Sequence, residues 1–332
     1  MYLILFVDLL RIKEVLKLKI KKLKTGVIGT GMMGQNHVRV LDEISNLVGV
    51  SDANEAQGKK ISEKYDVSYF KNYKDLLLNV DAVTLAVPTK FHHKIALDCI
   101  DSGISILIEK PLASSVSEAR EIVDQVLLSD ITVAVGHIER FNPVITAAKK
   151  YLDSGDWGNL VSVSSKRVSS YPDRISDVGV LLDTAIHDID AISYLVGSEV
   201  NSVYGSGKKL IHKKCEDHVN VVMNFRSGVI ATIESSWLMP TRERKLSLIT
   251  DKVSVNLDYI SQSIVVVNKN EEFLSYDIEK VEPLKLEIKD FLNSIVNKSS
   301  PLVTSSSACK NLEIANLIQS SIDSNEVKYK NG

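Results

Sequence analysis

Between residues 25 and 136 the chain alternates short apolar runs with longer amphipathic stretches, and this alternation restricts the fold more than any other feature. Short apolar runs are typical of strands buried on both faces, and apolar residues at three- and four-residue spacing are typical of helices that pack on a sheet. The order of strands and helices implies right-handed crossovers. It predicts a doubly wound, parallel α/β sheet with strands at 25–29, 47–51, 82–87, 104–108 and 131–136.

After residue 143 the pattern changes to longer strands, several of them with the alternation of a sheet that has one covered face. These strands are predicted at 160–168, 219–225, 229–237, 245–249, 253–259 and 263–267. Helices are predicted at 181–195, 284–296 and 308–321, which makes this part an α+β domain with a large, mainly antiparallel sheet. We therefore expect an N-terminal extension (1–23), a Rossmann domain (24–142) and a substrate and oligomerisation domain (143–332). An alternative is that the final helices pack on the first domain.

The charge and cysteine content of the chain narrows the class of partner. A formal net charge of -2 gives no global reason to bind nucleic acid or an anionic membrane, which leaves a small molecule as the expected partner. Three dispersed cysteines, Cys99, Cys215 and Cys309, do not form a disulfide framework, and a reducing cytoplasm is expected. The apolar run at 1–10 is about half the length of a membrane-spanning helix, so no membrane partner is predicted.

A glycine-rich segment with the pattern G-x-G-x-x-G follows the first predicted strand and opens a predicted helix. In such a segment Gly29 permits a tight turn, Gly31 lets the backbone approach a pyrophosphate, and Gly34 lets helix and strand pack closely. The N-terminus of the helix stabilises the phosphate charge. The segment therefore predicts a dinucleotide cofactor, contacted by Gly29, Thr30, Gly31, Met32, Met33 and Gly34.

An acidic residue, Asp52, ends the second predicted strand at the spacing expected for a carboxylate that binds the ribose 2'-hydroxyl of NAD. A carboxylate at that position repels the 2'-phosphate of NADP, so NAD is the predicted cofactor. The alternative is that Asp52 only caps a helix that begins near Asn54.

Two further motifs supply residues suited to acid-base chemistry. Glu109-Lys110-Pro111 follows the strand that ends at residue 108, and the carboxyl ends of parallel strands face the ligand crevice of such folds. Asp183 and His187 are four residues apart on a predicted helix and therefore share a face, where a carboxylate can orient an imidazole that acts as a general base. No metal site is predicted, because neither this pair nor the group of His212, Cys215 and His218 has the ligands that zinc requires.

Taken together and in this order, the motifs resemble the glucose-fructose oxidoreductase / inositol dehydrogenase family, Gfo/Idh/MocA, over residues 24–330. The resemblance rests on the glycine-rich segment, on Val87-Pro88 with His92, on Glu109-Lys110-Pro111, and on Asp183 with His187. It implies an NAD-dependent dehydrogenase that oxidises a sugar hydroxyl to a ketone.

The resemblance also implies roles for individual residues. It places Lys110 near the nicotinamide and the reacting hydroxyl, makes His187 the proton acceptor, and makes Asp183 a substrate or orienting contact. Cofactor contacts carried over in the same way are Pro88, His92, Glu109 and Lys110.

Within this family, residues 136–143 and 167–180 look most like members that oxidise the 3-hydroxyl of UDP-N-acetylglucosamine or a related UDP-amino sugar. A diphosphate requires cations, and the candidates near the site elements are Arg140, Lys166, Arg167 and Arg174. The predicted substrate contacts are Arg140, Asn142, Arg167, Asp183 and His187.

Two other functions stay open, and assembly through the second domain is expected. The first is a free-sugar or free-polyol dehydrogenase of the inositol type, and the second is a non-catalytic NAD-binding sensor. We expect a homodimer or homotetramer formed through the sheet of the second domain, because an exposed apolar sheet face would otherwise be a liability.

Overall fold

The computed structural model describes residues 14–16, 18–172 and 178–330, which fall into two compact units. The first unit consists of the described residues up to Gly136 together with Leu284–Cys309. The second consists of His137–Pro283 and the described residues from Lys310 onward. The division after Gly136 lies ahead of the expected boundary at residue 142.

The first unit is built on a six-stranded sheet with the order β3-β2-β1-β4-β5-β6. All of its strand pairs are parallel. The order reverses direction between β1 and β4, as in doubly wound dinucleotide-binding folds, so the predicted fold class of this region is confirmed. The strands are β1 (Lys24–Ile28), β2 (Asn46–Ser51), β3 (Ser68–Phe70), β4 (Ala82–Leu85), β5 (Ser105–Glu109) and β6 (Val133–Gly136).

Nine α-helices occur within the described ranges 14–16, 18–172 and 178–330 as elements with assigned bounds. In chain order they are α1 (Met32–Ile44), α2 (Glu55–Tyr65), α3 (Tyr73–Leu77), α4 (His92–Asp101), α5 (Val116–Leu127), α6 (Pro143–Asp153), α7 (Ile186–Val196), α8 (Pro283–Asn297) and α9 (Ser305–Ser324). A capping pair starts α5: the Ser115 side chain accepts from the Glu118 N–H at 3.2 Å, and the Glu118 carboxylate accepts from the Ser114 N–H at 3.0 Å.

The second unit is built on a nine-stranded sheet with the order β14-β13-β12-β11-β7-β10-β9-β8-β15. Only β7 and β10 pair in parallel, so the predicted mainly antiparallel sheet is confirmed. The strands are β7 (Leu160–Val168), β8 (Val200–Lys208), β9 (His218–Phe225), β10 (Ile230–Ser236), β11 (Glu243–Thr250), β12 (Val253–Asp258), β13 (Ser263–Asn268), β14 (Phe273–Tyr276) and β15 (Lys328–Tyr329).

One face of this sheet is covered and the other is not. In β9, Val219, Val221 and Met223 are buried, while Asn220 and Val222 between them are exposed. The buried face joins a core that includes Trp157 and residues of α6, α7 and α9. This period of two is what the sequence pattern in this part of the chain predicts.

Several elements differ from the sequence expectation. Strands β3, β8, β14 and β15 were not anticipated, because they are short or, in β8, rich in glycine and polar residues. The predicted helix at 181–195 is a π-helical turn, Leu181–Ala185, followed by α7. Among the described residues, no helix has the length and apolar character needed to cross a membrane.

Candidate active site

The glycine-rich segment has the geometry of a phosphate cradle. Gly29 has φ +91, and a Cβ there would lie 2.6 Å from the Ala86 carbonyl oxygen; at Gly34 it would lie 1.9 Å from the Gly29 oxygen. A Cβ at Gly31, in contrast, would meet nothing within 4 Å, and this residue is the N-cap of α1, without a side-chain cap hydrogen bond. Two glycines are therefore required by close backbone packing, and the third leaves an open approach to backbone N–H groups, which suits a pyrophosphate.

Asp52 is tied to this segment at the end of β2. One carboxylate oxygen accepts from the backbone N–H and the hydroxyl of Thr30, both at 2.7 Å. The other accepts from the Asn54 N–H at 2.8 Å, which leaves it one acceptor position for a ribose hydroxyl. The residue that caps α2 is Asn54, whose side chain accepts from the Gln57 N–H. The structure thus does not use Asp52 as the helix cap, and its position fits NAD.

A buried histidine holds the end of β5. Nε2 of His37, on α1, donates to a Glu109 carboxylate oxygen at 2.9 Å, and the second Glu109 oxygen accepts from the Lys110 N–H at 3.2 Å. His37 is fully buried and the Glu109 side chain is 13% exposed. Burial raises the pKa of Glu109, but the hydrogen bond and charge of His37, with the charges of Lys110 and His92, bring it below its usual value. The acid is thus ionised and fixes the backbone at Lys110.

The segment after β4 is held by His92. Its two ring nitrogens lie 2.9 Å from the carbonyl oxygens of Val87 and Pro111, so the ring joins the ends of β4 and β5. Burial lowers the pKa of His92, while the two carbonyls act in the opposite direction. His92 is fully buried, whereas Pro88 begins a short turn that is partly accessible. The ring is therefore a positioning group behind the surface that a cofactor would reach.

Asp183 and His187 lie on one continuous helical segment of the second unit. Asp183 is in the π-helical turn and His187 is the second residue of α7; both are partly buried. The indole N–H of Trp237 donates to the Thr184 hydroxyl at 3.1 Å, which joins this turn to the end of β10. The third predicted catalytic residue, Lys110, belongs to the first unit.

Two of the arginines predicted to bind substrate are instead part of buried ion pairs. Arg140 is 6% exposed and binds both oxygens of Asp190 through Nε at 2.9 Å. Arg167 is 2% exposed and binds Asp188 through Nε at 2.8 Å and Glu139 through Nη1 at 2.8 Å. Because these guanidinium groups are already neutralised and enclosed, the structure argues against their predicted contact with a diphosphate.

The remaining substrate candidates are placed as follows. Asn142 is 3% exposed; it caps α6 through the Val144 N–H and donates to Glu139 and the Tyr259 carbonyl, and its predicted contact with substrate stays a prediction. Lys166 lies 3.4 Å from Glu243 near the surface. Arg174 lies outside the described residues.

Sequence reasoning overlooked His37 and a cluster around Arg244. His37 follows Gly34 by three residues and lies on the same helical face as Val38 and Leu41, so the period of α1 would have predicted a buried histidine. Arg242 and Arg244 flank Glu243, the first residue of β11, and lie 55 or more residues after Asp183 and His187, so the sequence carries no local signal that links them to a site.

No group of three potential metal ligands occurs in the part of the chain that the structure describes. In the segment before β9, His212 Nδ1 accepts from the backbone N–H groups of Lys214 and Cys215 at 3.2 and 2.8 Å. His218 instead contacts the Asn220 amide at 2.8 Å. Each histidine thus has a local partner.

Comparison with known proteins places this geometry in a family context. Residues 23–137 match the profile described as "Oxidoreductase family, NAD-binding Rossmann fold", and residues 145–256 match "GFO/IDH/MocA C-terminal domain". UDP-N-acetylglucosamine 3-dehydrogenase of Acidithiobacillus ferrooxidans is 27% identical over 282 residues, 82% of this chain and 88% of that protein. Its crystal structure has a TM-score of 0.86 over 91% of this chain and 98% of that chain, at 26% identity. Myo-inositol 2-dehydrogenase of Thermotoga maritima is 26% identical over 306 residues, 85% of this chain and 91% of that protein.

Proposed function

The chain belongs to the Gfo/Idh/MocA family of oxidoreductases with an NAD-binding Rossmann fold, and from this premise we propose that it oxidises the 3-hydroxyl of UDP-N-acetylglucosamine or a related UDP-amino sugar to a ketone. The family establishes the coarser activity, an NAD-linked oxidation of a sugar or polyol alcohol. The substrate and the roles of individual residues are the proposal.

The observation that carries the proposed chemistry is the bridge between His37 and Glu109. His37 lies on the helix that begins in the glycine-rich segment, and Glu109 adjoins Lys110 at the end of β5. The 2.9 Å contact therefore links the helix that would hold the cofactor phosphates to the lysine proposed to face the reacting group. A group that must be fixed to within a fraction of an ångström is best supported by such buried contacts.

The residues of the chain manage the proton of the reaction. When bound, NAD accepts the hydride from the carbon that carries the hydroxyl. We assign uptake of the hydroxyl proton to the His187 imidazole, with Asp183 four residues earlier as the group that orients it. The Lys110 ammonium donates a hydrogen bond to the same oxygen as negative charge develops there. Loss of the proton from oxygen and of the hydride from carbon leaves the ketone.

The proposed substrate class is supported by the similarity to the UDP-N-acetylglucosamine 3-dehydrogenase in both sequence, 27% identity over 82% of this chain, and structure, a TM-score of 0.86 over 91% of this chain. An inositol-type polyol is the second candidate, because the myo-inositol 2-dehydrogenase is similar over 85% of this chain. Of these two candidate substrates, only the UDP-amino sugar carries a diphosphate that the protein would have to bind.

The test is formation of NADH, followed by absorbance, when the protein is mixed with NAD and each of UDP-N-acetylglucosamine, UDP-glucose, UDP-N-acetylglucosaminuronate, myo-inositol and glucose. A ketone trap, an aminotransferase with glutamate, is included because oxidation at C3 can be uphill. NADH with a UDP-amino sugar alone is the expected result. NADH formed with myo-inositol alone would refute the proposed substrate and indicate a polyol dehydrogenase. NAD binding without any turnover would indicate a non-catalytic NAD-binding sensor.

We also propose that the uncovered face of the nine-stranded sheet joins copies of the chain. Tyr204 pairs with Val222 on this face, and Ile230 and Ile249 both lie beside Ser162. Of these, Ile230 and Ile249 are 49% and 53% exposed, which is an apolar surface that subunit contact would cover. Light scattering is expected to give a dimer or tetramer that Ile230→Glu dissociates; a monomeric wild type would refute assembly through this face.

A further inference from the structure

The second unit contains a cavity of about 290 Å³ between the segment at 136–143 and the start of β11. Its polar lining consists of one acid, two arginines and three neutral residues: Glu139, Arg242, Arg244, Asn142, Tyr259 and Gln262. Apolar walls come from Ile138, Ile260 and Pro283. A volume near the lower end of ligand pockets suits a compact charged group rather than a whole nucleotide sugar.

The charges around this cavity do not balance. Arg167 occupies both oxygens of Asp188 and one oxygen of Glu139. Arg244 lies 3.6 Å from that same Glu139 oxygen, and Arg242 forms no ion pair within the described residues. Three guanidinium groups thus face two carboxylates. An anion in the cavity would neutralise the excess.

Two properties of the lining residues agree with this. Burial, followed by the nearby charge of Arg167, lowers the pKa of Arg244 to about 10, as expected for a cation short of negative charge. Tyr259 is 4% exposed, and its hydroxyl has no hydrogen-bond partner among the residues that the structure describes. A buried hydroxyl without a partner is costly unless a ligand or water supplies one.

We infer that this cavity binds the diphosphate of the nucleotide-sugar substrate, through the guanidinium groups of Arg244 and Arg242. The inference rests on the proposed function and deepens it. Arginine is suited to this task because its planar fork matches phosphate oxygens. A series of ion pairs within one unit links the cavity to the helix that carries the proposed base: Arg244 neighbours Glu139, Glu139 binds Arg167, and Arg167 binds Asp188, the residue after His187.

The test is calorimetric titration of the full chain with UDP, UMP and inorganic pyrophosphate, in the absence of turnover. We expect UDP and pyrophosphate to bind and UMP to bind more weakly. Arg244→Gln should weaken the affinity for UDP by about tenfold to a hundredfold, because a charge-assisted contact is lost. The exposed Arg242 should have a smaller effect, about threefold to tenfold for Arg242→Gln.

Lys245→Gln is the matched control. Lys245 follows Arg244 on β11, faces the opposite side of the sheet and is 55% exposed, so the variant removes one positive charge from the same strand outside the cavity. Its affinity for UDP should stay within about twofold of wild type. Affinity for NAD and the thermal melting curve verify that each variant is folded. If Arg244→Gln does not fold, Arg242→Gln still tests the assignment.

The outcomes separate the cavity from the proposed reaction. Oxidation of UDP-N-acetylglucosamine with unchanged UDP affinity in both arginine variants would overturn the cavity assignment and leave the function standing. Oxidation of only a free polyol, with UDP binding still dependent on Arg244, would refute the substrate and support the cavity. A wild type that binds neither UDP nor pyrophosphate overturns the assignment.

Discussion

The two units bury their acidic residues with different partners. In the first unit Glu109 is paired with a histidine, His37, whereas in the second Asp188 and Asp190 are paired with Arg167 and Arg140. Arginine keeps its charge at all ordinary pH values, so the arginine pairs form a permanent framework. The pair of the first unit depends on the ionisation of Glu109: burial raises the pKa of this acid, and the hydrogen bond from His37 helps to bring it below its usual value.

The arginine pairs and the histidine pair also differ in where they lie relative to the proposed catalytic residues. The arginine pairs are 6% exposed or less and join loops, strands and helices of the second unit. The histidine pair adjoins Lys110, at the strand end where the chemistry is proposed. Buried charge thus joins structural elements in one unit, and in the other it fixes the backbone beside the lysine that is proposed to act.

The strongest test asks whether Lys110 and His187 act on the same hydroxyl group in one step. Lys110→Ala and His187→Ala should each lower kcat about a thousandfold, equivalent to about 4 kcal/mol. The double variant should lose far less than the product of the two, because residues that act as a unit are not additive. The measurement is steady-state NADH formation, with NAD affinity from calorimetry.

The control is Lys60→Ala, which removes an exposed lysine on α2 and should leave kcat unchanged. Losses that multiply in the double variant would show that Lys110 and His187 act on separate steps.

The next largest effect is expected where the arginine framework is broken. Asp188→Asn leaves Arg167 buried with one carboxylate fewer, and should lower the free energy of unfolding by about 3–5 kcal/mol. Urea denaturation measures this. Glu55→Gln, which removes an exposed pair with Lys59, is the control and should leave the urea midpoint almost unchanged. A loss below about 1 kcal/mol for Asp188→Asn would contradict the framework role.

The pair of His37 and Glu109 should affect how the free energy of unfolding changes at acidic pH. Because the pKa of Glu109 is below its usual value in the folded chain, its contribution is present above the unfolded pKa and is lost as pH falls through the folded pKa. His37→Gln should lower the free energy of unfolding by about 1.5–3 kcal/mol at neutral pH. The loss in acid should then begin at a higher pH, since the group that lowers the pKa of Glu109 is gone.

Urea unfolding across an acidic pH series checks this, with His93→Gln as the control, since His93 forms a partly exposed pair with Glu121. An identical pH dependence in wild type and His37→Gln would mean that the pair does not set the ionisation of Glu109.

The smallest effect concerns Arg244, the cation in excess. Arg244→Gln should raise the free energy of unfolding by about 0.5 kcal/mol, because repulsion from Arg167 is relieved and Glu139 keeps Arg167 as its partner. The gain should not vary between about pH 5 and 8, where arginine does not titrate. Destabilisation would instead show that Arg244 belongs to the framework.

Much of the first unit could be predicted because its determinants are contiguous in sequence. Strands β1, β2, β4, β5 and β6 lie within a few residues of the predicted ranges, since each is an uninterrupted apolar run. Strand β3 has three residues, too few to carry a pattern, and β8 contains two glycines and five further polar residues or lysine, which hides its period of two. The roles of Lys110, Asp183 and His187 remain predictions from the motifs.

The sequence alone was enough to predict the turn formed by the glycine-rich segment, the position of Asp52 at the end of a strand, and the order of strands and helices. Turn, strand and helix signals act over a few neighbouring residues, so they can be found without the tertiary structure. Only the tertiary structure decided which charged residues pair. Arg140 meets Asp190 across 50 positions and His37 meets Glu109 across 72, and no local pattern records such contacts. Packing therefore buries Arg140 and Arg167, two of the cations predicted to bind a diphosphate, and places Arg242 and Arg244 at the cavity.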